Sequence, residues 1–100
     1  MKKCIFNSLV NEFDSTRYEV GKVFKLDNVF HITEKREDGQ HIEVLVGCNE
    51  ESGQIEVECN VNGDIVSHME FNRFRHSVND VVNLVMRYVK WGFHVASYVK

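Results

Sequence analysis

The spacing of apolar and polar positions changes period twice along this chain, and the changes mark out its elements. Between Cys4 and Phe13, the residues Ile5, Phe6, Leu9, Val10 and Phe13 recur at helical intervals, with Asn7, Asn11 and Glu12 between them. This predicts a short amphipathic helix ended by Asp14-Ser15-Thr16. A strand over Lys3 to Leu9 is the alternative, because helices this short are marginal alone. From Arg17 to Phe71 the period is two. Tyr18, Val20, Phe24 and Leu26 lead, then Phe30 and Ile32, then Ile42, Val44, Val46 and Cys48, then Ile55, Val57, Cys59 and Val61, then Ile65, Ser67, Met69 and Phe71. Turn signals separate these runs at Asp27-Asn28, Glu37-Asp38-Gly39, Asn49 to Ser52, and Asn62-Gly63-Asp64. From Ser77 the helical period returns in Val78, Val81, Val82, Val85, Tyr88 and Val89. Ser77 with Asp80 has the capping-box spacing, and Gly92 stands where a helix would stop. Valine is a poor helix former, so this helix must be held by what it packs on. Phe93 to Val99 is β-rich and reads as a final strand, at a sheet edge or inside it. Asn72 to His76 is the link into the long helix.

The registers follow from burial. Asn62-Gly63 favours a two-residue turn with Val61 opposite Asp64, but that register sets Val57 beside His68 and Ile55 beside Glu70. Looping out Asn62, Gly63 and Asp64 pairs Val61 with Ile65, Val57 with Met69 and Ile55 with Phe71. At about 25 cal/mol per Å² the apolar pairing is worth several kcal/mol, more than the turn preference, and a three-residue loop is expected. The same reasoning places Val46 beside Ile55, Val44 beside Val57, Ile42 beside Cys59, Phe30 near Val46 and Ile32 near Val44. The expected fold is α+β, a single domain over residues 1–100. It is an antiparallel five-stranded meander with a short N-terminal helix and a longer C-terminal helix on one face, plus a final C-terminal strand.

Composition narrows the chemistry. The formal charge is −3 and 43% of residues are apolar, which suits one modest core and points to neither a nucleic-acid binder nor an acidic tail. Cys4, Cys48 and Cys59 form no CxxC pair, which favours reduced thiols and a cytoplasmic setting. Asn7, Ser8, Asn11 and Glu12 interrupt any secretory leader, and no apolar run approaches the roughly 20 residues of a membrane span. No phosphate loop, HExxH or clustered Cys/His spacing occurs, so no cofactor and no metal site are expected. Nor is catalysis: the cysteines fall on apolar faces, where thiols serve as packing, and Ser77 is better used as a cap than as a nucleophile. Trp91 reads as a filler at the edge of the core, or as a binding anchor where it is exposed.

The face opposite the core carries the candidate site. In the expected registers Thr33, Glu43, Glu58 and His68 form one row across the strands, and His31, Leu45, Glu56 and Glu70 the next. Glu43 with Glu58, and Glu56 with Glu70, then stand as like-charged neighbours, which a sheet shaped only for stability avoids. Solvated charge alone also accounts for glutamates on an open face. The functional expectation is a small cytoplasmic protein-binding module, of the inhibitor, immunity or anti-defence kind. It covers a basic site on a protein target through Glu43, Glu56, Glu58, Glu70 and His68. Its bacterial or phage flavour rests on size and class alone. The alternative is nucleic-acid binding through Arg73, Arg75, Arg87 and Lys90, interleaved with Phe71 and Phe74 before the long helix. A homodimer formed through an open sheet edge is a further expectation.

Overall fold

The computed structural model describes residues 1–23, 26 and 28–99. Its elements are α1 (Lys2–Phe13), β1 (Tyr18–Lys22), β2 (Val29–Glu34), β3 (Ile42–Cys48), β4 (Gln54–Val61), β5 (Asp64–Asn72), a 3-10 turn at Arg73–Arg75, and α2 (Val78–Ala96). The strands form one antiparallel sheet in the order β1-β2-β3-β4-β5, so each lies beside its neighbour in sequence. Both helices pack on one side, α1 against β1 and β2 and α2 against β3, β4 and β5. The architecture is therefore the α+β meander that the period changes predict. The expected strand alternation through Phe24 and the turn at Asp27 fall on positions outside the described residues.

The core lies between sheet and helices. Ile5, Leu9 and Phe13 from α1 and Val81, Val85 and Val89 from α2 meet the inward side chains of the strands, among them Phe30, Ile32, Val44, Val46, Ile55 and Val57. Full burial of each such side chain is worth about 1.5–3 kcal/mol, enough to hold a valine-rich helix that its own propensity would not. Ser77 starts α2 as expected, its Oγ accepting the Asp80 amide at 3.2 Å. Cys4, placed on the apolar side from sequence, is exposed, whereas Cys48 and Cys59 are buried. Burial pushes both of those thiols up to about 11.

The C-terminal strand is not formed. α2 runs through Gly92 to Ala96, and Gly92 is buried rather than terminal. A Cβ at Gly92 would sit 3.1 Å from Cys59 Cβ and 3.3 Å from Val44 Cγ2, so the glycine lets the helix approach the middle of the sheet closely. Past it, the β-rich segment is held helical by tertiary contact. Phe93 stacks 4.8 Å from the Tyr18 ring and 6.2 Å from Phe13, and Ala96 is buried. Packing outweighs local preference here, as it commonly does for β-propensity.

The register of β4 with β5 reconciles two demands that appeared exclusive. Asn62 and Gly63 both take positive φ, 53° and 89°, and form the tight two-residue turn with Val61 opposite Asp64. The three-residue loop expected from sequence is therefore absent. Yet Val57 still pairs with Met69 and Ile55 with Phe71, because the register shifts by one between Cys59 and Asn60. Cys59 faces Ser67 and Asn60 faces Ile65, leaving Val66 as a surplus residue, a β-bulge. Between β2 and β3, Phe30 pairs with Val46 and Ile32 with Val44, as expected. Between β3 and β4 the register differs by two: Val46 faces Val57, Val44 faces Cys59 and Ile42 faces Val61. The reason is a tight loop in which the Asn49 amide donates to Gln54 O at 2.9 Å and the Asn49 Oδ1 accepts the Glu51 and Ser52 amides. An even shift leaves each side chain on its predicted face but changes its neighbour.

Candidate functional site on the open sheet face

With both helices on one side, the outward positions of the strands remain uncovered. Three rows cross the sheet. Glu19, Thr33, Glu43, Asn60 and Ile65 form the first, Gly21, His31, Leu45, Glu58 and His68 the second, and Val29, Gly47, Glu56 and Glu70 the third. The predicted pair Glu56 with Glu70 is thus present, as is Glu58 beside His68. Glu43 and Glu58 are not paired: the two-residue register difference sets Asn60 opposite Glu43 and Leu45 opposite Glu58.

The face has one sign. Among the described strand positions its charged groups are Glu19, Glu43, Glu56, Glu58 and Glu70, and its only basic groups are the imidazoles of His31 and His68. Among the described residues Lys22 is the single Lys or Arg within the strands, and its Nζ lies on the helix side, 5.3 Å from the Phe6 ring centroid. Short polar links fix several of the outward groups. The Thr33 hydroxyl donates to Glu43 Oε2 at 3.5 Å and lies 3.3 Å from His31 Nδ1. Asn60 Nδ2 donates to Glu58 Oε2 at 3.2 Å. His68 Nε2 reaches diagonally to within 3.9 Å of Glu56 Oε1. The His31 ring lies over Gly21, where a Cβ would come within 2.8 Å of its Nε2.

Glu56, His68 and Glu70 bring ligand-type atoms within 4.8 Å of one another, all three exposed. Two carboxylates and an imidazole are ordinary divalent-metal ligands, but the set lacks the buried supporting partners that orient such sites.

At the centre of the face the chain leaves a dent. Gly47 carries no side chain, and the space where one would stand is open. Val29, Leu45 and Gly47 form the apolar side of a shallow hollow of about 170 Å³, with Glu56, Glu58 and His68 as its polar side. Gly47 is the residue that sequence reasoning passed over. Its signal was there, since an isolated glycine inside an alternating strand marks a close approach or a gap.

The basic set is dispersed. Arg73 Nη2 donates to Glu50 O at 3.3 Å and lies 3.7 Å from Glu50 Oε2, with its guanidinium 4.6 Å from the Phe74 ring centroid. Lys90 is paired with Glu12 at 2.8 Å. Arg75 and Arg87 are exposed, one at the 3-10 turn and the other on α2. Trp91 is 49% exposed, so it is not a core filler. Its ring, that of His94 and that of Tyr98 form a stripe at the end of α2 and just past it, with centroids 5.7 and 5.1 Å apart. That stripe was hidden because these residues were read as the end of a helix followed by a strand. No helix of the described residues is long and apolar enough to cross a membrane. Compared with known proteins, the chain matches no family model, no curated protein and no solved structure.

Proposed function

We propose that the protein is a binding module that covers a basic surface on a protein target with the open face of its sheet. The observation that supports this reading is the sign of that face: outward carboxylates on four of the five strands, and no Lys or Arg among the described strand positions that point outward. Like charges in register are unfavourable by a few tenths of a kcal/mol upward, as at Glu56 and Glu70. A matching positive surface turns that repulsion into attraction and speeds encounter. The nucleic-acid reading has less support, because two of its four cations, Arg73 and Lys90, are already engaged by Glu50 and Glu12.

The test is capture from a lysate with two baits, the native chain and a Glu56→Lys/Glu58→Lys variant, both checked for an unchanged melting temperature. Proteins with strongly basic surfaces are expected on the native bait at low salt and absent from the variant. An identical set on both baits overturns the reading. Nucleic acid retained by both baits would favour the arginine-based alternative, and its retention should fall steeply with added salt.

A further inference from the structure

The hollow at Gly47 has a shape and chemistry of its own. Resting on the reading above, we infer that it receives an arginine side chain projecting from the partner. Its volume is about 170 Å³. That suits one long side chain. A second shallow hollow shares Val29, Gly47 and Glu56 and runs on to Asn49 and Ser52 in the β3–β4 loop. At about 340 Å³ it offers room for the backbone that carries such a side chain.

The lining divides as an arginine does. Leu45 and Val29 present aliphatic surface for the methylene stem, which long cationic side chains keep against apolar groups while the head stays polar. Glu56 and Glu58 lie two residues apart on β4, so their backbones are separated by about 7 Å along one face. An ammonium offers three donors about a single point, with no fixed plane to match two carboxylates. A planar guanidinium has five N–H donors in a fixed fork and spans both. Each carboxylate is already steered by a neighbour, Glu58 by Asn60 and Glu56 by His68. Arginine–carboxylate contacts of this kind are about twice as strong as neutral hydrogen bonds.

The test uses amide NMR with short probes: acetyl-Gly-Arg-Gly-amide and its lysine and citrulline counterparts. Citrulline keeps the shape of arginine but carries no charge. The expected result is a saturable shift of the Leu45, Gly47 and Glu58 amides with the arginine probe, at least threefold weaker with lysine and absent with citrulline. Gly47→Val fills the hollow while keeping every carboxylate, and no atom crowds its Cβ, so the fold should hold. This variant should lose the arginine response tenfold or more. Equal responses to arginine and lysine, or an arginine response that survives Gly47→Val, would overturn the assignment. Poly-lysine separates this from the broader reading. If it binds native protein and Gly47→Val alike but not Glu56→Lys/Glu58→Lys, the acidic face stands whatever the arginine probe does. If it binds none of them, the face itself is not a docking surface.

Discussion

Gly92 offers the sharpest physical test of the fold, because two accounts of it predict opposite rankings. In the structure it is a contact glycine inside α2, seated on β3 and β4. Replacing it with alanine brings two opposed effects. Alanine is favoured over glycine in a helix interior by about 1 kcal/mol. Against that, the new Cβ stands 3.1 Å from Cys59 Cβ and 3.3 Å from Val44 Cγ2, inside the 3.5–4.0 Å at which carbons rest. Neither neighbour can swing away, since one is a Cβ and the other belongs to a stiff branched side chain. The helix must lift by a few tenths of an ångström along its buried stripe of Val81, Val85 and Val89. Overpacking of this kind costs about 2 kcal/mol, leaving Gly92→Ala about 1 kcal/mol less stable than native. For a domain of this length that lowers the melting temperature by about 4–8 °C. Gly92→Asn should be worse, by about 3 kcal/mol in all, because it adds bulk and buries an amide without a partner. If Gly92 instead ended the helix in a left-handed conformation, asparagine would be the gentle substitution and alanine the damaging one. Urea melts of the three proteins followed by circular dichroism decide the order. Asparagine at or above alanine would refute the seated helix.

Four other expectations follow from the same structure. Ser77→Ala should cost about 1 kcal/mol in urea melts, since it removes the oxygen that accepts the Asp80 amide. Gly63→Ala should cost about 1–2 kcal/mol, because its φ of 89° penalises any side chain, and a variant as stable as native would speak for the looser loop. At pH 8 a thiol reagent should label Cys4 alone in the native chain, and Cys48 and Cys59 only after denaturant is added. Both buried thiols titrate near 11 when folded, above their ordinary value of 9, so the fold holds their protons more tightly than the unfolded chain does. Their stabilising contribution is complete below pH 9 and is lost as pH climbs to 11, which a series of alkaline melts will show.

The sequence made the sheet legible because its apolar positions alternate with little interruption from Ile42 to Val61, and that parity survives any even error in register. Hence Glu56, Glu58, Glu70 and His68 were placed on the correct face while Glu43 was given the wrong neighbour. The register itself was set by the Asn49 side chain folding back on its own loop, a local device that burial arithmetic does not see. At Val66 two sound arguments conflicted, and the chain satisfied both by inserting one residue. The C-terminal segment was misread for a different reason. Phe93 looks like a strand residue until Phe13 and Tyr18, some 75 or more positions earlier, are known to lie against it. The hollow at Gly47 was invisible because it is made by an absent side chain, and its lining is drawn from four strands.

The surplus residue at Val66 has a consequence for how the molecule behaves in a crowded solution. β5 is an outermost strand of the sheet, nine residues long, and such a border invites other chains to add themselves to it. A newcomer zipping along β5 would meet a break in the repeat at Val66, and could continue only by carrying a matching irregularity of its own. The device that lets the Asn62-Gly63 corner coexist with the Val57–Met69 pairing thereby also guards the border against fibril growth. Deleting Val66 should remove that guard, and light scattering should then show the variant more prone to precipitate than the native chain.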